Sequence, residues 1–300
     1  MKDNVVGSRV LLVVGVDGSP ASQHALRWAA AEAGRRGAVL DVVHAWMTPY
    51  PLDPPDYFTD PAPFEARGAE VLEHALASLT LPDPTPTDFR PVLVQEYPSK
   101  ALLQAAEGAA LLVVGSRGRG GFSGLLLGSV SQNCVQHAPC PVAVVPPGWS
   151  GEEHGRVVVG VDGSDASYGA LHWAITTAAV RHAELEVVNA YDYLQVVMPM
   201  AIAPGIDREL LEKASRSLLE EMVGPAVAAA ATRPPSIQLI PAHTGPARAL
   251  LDTAIGADLL VVGSRGRGTV KGMLLGSVSQ QCLHHAHCPV VVVRSADETE

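Results

Sequence analysis

The sequence predicts an α/β protein made of two tandem domains, each with a parallel sheet, and three observations carry that prediction. Short, continuously apolar runs alternate with helix-patterned segments, beginning with residues 9–16, 21–36 and 39–45. Runs apolar at every position suit strands buried on both faces, as in parallel sheets. The series then restarts: Asp162-Gly163-Ser164 lies 145 positions after Asp17-Gly18-Ser19 (162 − 17). Finally, a glycine-rich stretch from Gly115 to Ser131 recurs from Gly263 to Ser279, 148 positions on (263 − 115), and differs only at positions 121, 122, 123 and 125.

Taken in order, residues 9–16 are the first strand and end in Asp17-Gly18-Ser19-Pro20. Ser19 before Pro20 reads as a helix cap and first helical position. Residues 21–36 form a helix with an apolar stripe, Gly37 stops it, and residues 39–45 are the second strand. This βαβ unit fixes a parallel pair with a right-handed crossover. Residues 47–63 hold six prolines and no periodicity, and are either a lid over a ligand or a surface excursion. A helix over 64–79, a strand over 89–95 and a helix capped by Ser99 and running to about Glu107 follow. Residues 111–114 are the fourth strand and 141–145 the fifth.

Residues 148–154 read as a linker between a first domain, 1–147, and a second, 155–300. In the second domain, residues 156–161 and 185–190 are strands, 192–207 a second long loop, and 207–230 a helix. A strand over 237–241, a helix starting at Thr244-Gly-Pro246, and strands over 259–262 and 289–293 complete it.

At 300 residues the chain has the length of two domains of about 150. A composition of 47% hydrophobic and 17% charged residues is that of a globular protein. The net charge of −10 argues against non-specific nucleic-acid binding, which needs a basic face. Four cysteines do not make a disulfide scaffold. An N-terminus without a long apolar stretch, and no uninterrupted apolar span of about 18 residues anywhere, predict a cytoplasmic protein with no membrane association.

The repeated stretch carries the chemistry. The order strand, glycine-rich loop, helix start binds phosphate through backbone N–H groups. Gly115, Gly118, Gly120, Gly121 and Gly128, with Gly263, Gly266, Gly268 and Gly276, let the backbone approach a ligand. Ser129 or Ser131, flanking Val130, can cap the following helix, as can Ser277 or Ser279 around Val278. Arg117, Arg119, Arg265 and Arg267 supply forked cationic donors that suit a small anion. Asp17 and Asp162 can accept from ribose hydroxyls or an adenine amino group, or reach Mg2+ through water. Taken alone, Asp-Gly-Ser-Pro reads first as a turn with a helix cap, and its pairing with the glycine loop in both halves reverses that reading.

At these residues the chain resembles the universal stress proteins. Gly115-x2-Gly118-x9-Gly128-Ser129 and Gly263-x2-Gly266-x9-Gly276-Ser277 look like that family's ATP-binding signature, and the resemblance covers nearly the whole chain. It implies two five-stranded parallel α/β sandwiches of Rossmann-like type, with ATP at the carboxyl ends of strands one and four. It also implies that Asp17 and Asp162 lie beside the adenosine, and that backbone at Ala45 and Ala190 faces the adenine. Gly115, Gly118, Gly128 and Ser129, with their counterparts, would hold ribose and phosphates, while Gly15 and Gly160 would allow close approach. A regulatory, stress-response role follows, read by an unidentified protein partner.

Two rivals need weighing. Cys134, His137 and Cys140 recur as Cys282, His285 and Cys288 and suggest zinc, but the first copy lacks an evident fourth ligand, and core-packed cysteines account for the pattern. The enzymatic rival is a nucleotide hydrolase, a slow ATPase or pyrophosphatase. Neither half has a Gly-x4-Gly-Lys-Ser/Thr loop, so the lysine that reaches terminal phosphates is missing and binding without efficient catalysis is expected. Apolar terminal strands, which leave edges to cover, predict packing of the two halves as a pseudo-twofold pair and a homodimer of whole chains.

Overall fold

A run apolar on both sides can be buried only if both neighbours and both faces are covered, and the first strands are placed in that way. The structure is a computed structural model, and it describes residues 5–6, 9–48, 60–79, 88–118, 127–191, 208–267 and 274–295. The chain folds as two compact units, Met1–Pro147 and Gly148–Glu300. Most of both long loops predicted from sequence, 49–59 and 192–207, lies outside the described residues.

In the first unit β1 (Val5–Val6), β2 (Arg9–Gly15), α1 (Pro20–Arg36), β3 (Val39–Trp46), α2 (Ala62–Ala77), β4 (Asp88–Gln95), α3 (Pro98–Ala105), β5 (Leu111–Gly115), α4 (Ser129–His137) and β6 (Val142–Val145) follow in order. The strands align β4-β3-β2-β5-β6, all parallel, with β1 pairing antiparallel to the start of β2. The chain runs outward from β2 through β3 to β4, then crosses back to β5 on the other side of β2. Right-handed crossovers therefore put α1 and α2 on one face and α3 and α4 on the other. The direction of travel reverses between β2 and β5, and the crevice where ligands sit in such sheets lies outside their carboxyl ends.

The second unit repeats the plan with β7 (Arg156–Gly160), α5 (Asp165–Arg181), β8 (Glu184–Ala190), α6 (Arg208–Ala229), β9 (Ile237–Ala242), α7 (Pro246–Thr253), β10 (Leu259–Gly263), α8 (Ser277–His285) and β11 (Val290–Val293). Its strand order is β9-β8-β7-β10-β11, again parallel.

The cores follow the sequence pattern. Leu12, Val13, Val14, Leu40 and Leu111 to Val113 are wholly buried, as are Ala25, Leu26, Ala29 and Ala33 on the inner face of α1. Trp28 and Trp173, at matching helix positions, are both buried. Cys134, Cys140, Cys282 and Cys288 are free and buried, and burial pushes each thiol up to about 12. They are protonated at neutral pH and poorly suited to binding metal as thiolates. Among the described residues no group of three His, Cys, Asp or Glu side chains is placed to hold an ion. No described helix is long and apolar enough to cross a membrane.

Several details differ from the sequence reading. Ser99 does not cap α3: Pro98 is its first residue, Tyr97 holds the cap position without a side-chain bond, and the helix ends at Ala105. Proline's fixed φ and missing N–H suit the first helical position, which moves the start back. Helix α2 starts two residues early because Asp60 Oδ1 accepts from the Ala62 N–H at 3.0 Å. The tail of the predicted linker is bound into the second unit, since the buried Asp258 carboxylate accepts from His154 N at 2.5 Å and Arg156 N at 3.0 Å.

Helix ends show where the repeat is imperfect. Ser19 and Ser164 cap α1 and α5 by accepting from Ser22 N and Ser167 N. Helix α1 ends at Gly37 with φ 58°, whereas α5 ends in the same left-handed conformation at His182, with φ 52°. His182 is the only positive-φ residue other than glycine among the described residues. Left-handed backbone costs a side chain about 1–2 kcal/mol. His182→Gly should therefore raise the unfolding midpoint of the second unit, by about 1 kcal/mol after the entropy of glycine is set against it, measured by chemical denaturation; Gly37→His should lower that of the first.

Candidate functional site

At the reversal of strand order, β2 ends at Gly15 and β5 at Gly115, and each strand hands the chain to a loop and then a helix. A side chain at Gly115 would be impossible in place: its Cβ would lie 2.8 Å from the backbone carbonyl carbon and oxygen of Ala21. The start of α1 thus rests on the end of β5, and this brings the Asp17 loop over the glycine loop. A Cβ at Gly118 would lie 2.6 Å from Asp17 Oδ2, and one at Gly266 would lie 2.5 Å from Asp162 Oδ2. Gly15 and Gly160 also make room for a neighbour that the sequence did not reveal. The space beside them is taken by the Leu102 and Leu250 side chains, each 2.8 Å from the missing Cβ, so their smallness seats α3 and α7.

Between these loops lies a cavity of about 490 Å3, within the roughly 300–1,000 Å3 usual for small-molecule sites. Asp17, Arg117 and Gly118 border it, with Gly15 and Gly115 at the strand ends and Ala45 on β3. Gly128, Ser129, Val130 and Ser131 form its wall at the start of α4. Every residue proposed from sequence in the first half therefore meets here, except Arg119, Gly120 and Gly121, which lie outside the described residues. Pro98, Leu102, Leu127, Val43 and His44 also line it and were not singled out in the sequence. The first four are apolar side chains with no chemical signature. His44, a histidine inside an apolar strand, was the one signal that could have been followed; its Nδ1 lies 2.8 Å from Val16 O and bonds to it.

The α4 wall is electropositive. Gly128 holds the cap position and no side chain caps the helix, whose opening backbone bond runs from Gln132 N to Gly128 O at 2.9 Å. The amides of Ser129, Val130 and Ser131 precede it and carry the positive end of the helix dipole. Neither Ser129 nor Ser131 is the cap that the sequence suggested. Ser129 is exposed, and the buried Ser131 hydroxyl is turned inward, 3.0 Å from Ser116 O and 3.2 Å from Gly128 O. With Gly128 N donating to Ser116 O at 2.8 Å, these bonds close the glycine loop onto β5.

The second unit places Gly160, Asp162, Ala190, Gly263, Arg265, Gly266, Gly276, Ser277, Val278 and Ser279 at matching points of its strands and loops; Gly268 lies outside the described residues. Ser279 donates to Gly263 O at 2.6 Å. Asp162 accepts from Ser164 Oγ at 2.6 Å, Ser164 N at 3.0 Å and Arg267 N at 2.9 Å. The aspartate thus fastens its own loop to the glycine loop, a role the sequence reading did not give it. The Arg267 side chain lies over Gly163 and donates to its carbonyl at 3.4 Å.

Burial raises the Asp162 pKa, but the Ser164 hydroxyl and the Arg267 and Ser164 amides outweigh it, so the carboxyl sits below its ordinary value. A depressed folded-state value means stability that is present above the unfolded value and is lost as pH falls through the folded one. Asp162→Asn should therefore lower the thermal midpoint at neutral pH. The gap between variant and parent should close as the buffer is taken from about pH 7 to about pH 3; a gap constant with pH would show that the charge is not what holds the loops together.

Comparison with known proteins agrees with this architecture. Residues 11–146 and 153–294 each match the universal stress protein family. A universal stress protein of Mycobacterium tuberculosis is 35% identical over 295 residues, covering 95% of this chain and 97% of its own. A second from that organism is 34% identical over 302 residues, covering 95% and 96%. Among solved structures, a universal stress protein from Archaeoglobus fulgidus shares the fold, with a TM-score of 0.63 at 19% identity over 99% of this chain and 100% of its own. Two such domains in tandem account for the repeat, the strand order and the glycine loops together, and the chain belongs to the universal stress protein family.

Proposed function

We propose that each unit binds one ATP and that the protein works as a regulatory binding module in a stress response, without efficient catalysis. The observation that carries this reading is the first unit's cavity, where a carboxylate and an uncapped helix start border one cleft. The two ends suit opposite parts of a nucleotide. Asp17 would repel phosphate and accept from sugar or base N–H and O–H groups. The amides of Ser129 to Ser131, with Arg117, attract the phosphates. Among the described lining residues Asp17 is the one carboxylate, and its Oδ1 already accepts from Ser19 N at 2.9 Å. Mg2+ would therefore be held largely by phosphate oxygens and water, as is usual for that ion.

Among the described lining residues only Asp17, His44 and Arg117 carry ionisable side chains, and Asp17 and His44 are both engaged with backbone. This favours binding over hydrolysis. Binding alone is enough to regulate: a ligand at a hundredfold excess over Kd stabilises the form it prefers by about 2.7 kcal/mol. That form would be read by a protein partner, and we place the protein in the cytoplasm, where ATP is abundant. Whole chains would pair as homodimers through their apolar terminal strands, which light scattering tests directly, a particle of monomer mass at all concentrations refuting the pairing.

Mass spectrometry of small molecules released from denatured protein should find ATP. Gly118→Asp, which sets a second carboxylate beside Asp17 and the phosphate path, should empty one site, and Gly266→Asp the other. Unchanged ATP content in the double variant would overturn the assignment. Phosphate release with Mg2+ present should stay far below the ~10 per second typical of enzymes; turnover at that level, lost in Asp17→Ala and Asp162→Ala, would identify a hydrolase instead.

A further inference from the structure

Beyond the nucleotide cavity, a chamber of about 200 Å3 opens between the end of β3 and helix α2 in the first unit. We propose that it is a second small-molecule site, one per chain, for a planar aromatic carboxylate. The size suits one ring and its acid group, since apolar cavities of about 150 Å3 take up a benzene-sized molecule. The walls suit a ring: Trp46 and Phe64 present aromatic surface, with Met47 and Val71 between them. The charge suits an acid. Arg67 lines the chamber, is exposed, and has no carboxylate partner among the described residues. A guanidinium beside an apolar slot recognises a carboxylate by paired N–H donors.

Gly68 lets α2 pack closely against β3 and β4 at the edge of the chamber. A Cβ there would meet Leu93 Cδ1 at 2.9 Å and His44 Cδ2 at 3.3 Å. His44 forms part of both the chamber and the nucleotide cavity, so the two volumes share a wall. The second unit is built differently at the matching residues. Asn189 takes the role of His44, donating to Val161 O at 2.8 Å. Ser215, 147 positions after Gly68 (215 − 68), is buried and bonds to Asn189 Oδ1 at 2.7 Å. At the same offset Ala214 stands for Arg67 (67 + 147) and Leu211 for Phe64 (64 + 147), so the second unit has neither the guanidinium nor that aromatic wall, which is why one site per chain is expected.

The test is calorimetric titration of the full chain with benzoate, and with benzyl alcohol as a neutral ring of similar size. Saturable benzoate binding at one equivalent per chain is expected. Arg67→Met should weaken benzoate about tenfold while leaving benzyl alcohol unchanged, and Val71→Trp should fill the chamber and abolish both. Neither residue lines the nucleotide cavity, so nucleotide released on denaturation should be the same in both variants as in the parent. Absent benzoate binding, two equivalents per chain, or indifference to Arg67→Met would each overturn the proposal. Equal affinity for the neutral ring would overturn the anion assignment. Loss of bound nucleotide in Arg67→Met would show that the two volumes are a single site.

Discussion

The architecture of each site depends on a helix backbone resting directly on a strand end. At Gly115 and Gly263 there is no room for a methyl group against the first turns of α1 and α5. Were these positions alanine, α1 and α5 would have to lift, and the loops carrying Asp17 and Asp162 would lift with them. The contact of aspartate with the glycine loop, the mouth of the cavity and the seating of Ser22 and Ser167 under the first loop all lie downstream of that one approach. Core packing of native density leaves little slack to absorb such a shift.

Much of this was legible in the sequence, for identifiable reasons. Strands buried on both faces announce themselves as continuous apolar runs, and a repeat of the same run-and-helix order announces a second unit. The aspartates and glycines stood out because the same strand-to-helix turns occur once in each half. What could not be read was which neighbour each glycine accommodates. Gly15 borders the cavity and is also a seat for Leu102, which nothing local in the sequence announces, since it does not say that α3 crosses there. Ser131 looks like a cap and is instead a clasp to Ser116, a partner fifteen residues away across a loop. Hydroxyls that bond across the fold leave no periodic trace.

The two halves are near copies in their glycine stretches and diverge around them. Asp41 pairs with Arg90 on the neighbouring strand of the first unit at 2.6 Å, whereas Glu186 in the second is held by Arg156 at 2.9 Å. Gly37 is answered by His182, and the His44 and Gly68 pair by Asn189 and Ser215. In the last case a large side chain goes with a missing one, and a smaller amide with a hydroxyl, so volume and hydrogen bonding are balanced within each pair. Such coupled positions do not vary independently: exchanging one member alone leaves a clash or an unpaired buried group.

The clasp on Asp258 bears on where the second unit can be cut free. Its carboxylate is buried and is satisfied by the amides of His154 and Arg156, which precede or open the first strand of that unit. A fragment beginning after His154 would carry a buried acid with one of its two amide partners missing, and such an orphaned group costs about 1–3 kcal/mol. The smallest self-sufficient piece of the second half therefore begins upstream of its first strand, within residues that composition alone assigns to the connection. The connection, in this protein, is partly the foundation of what it connects.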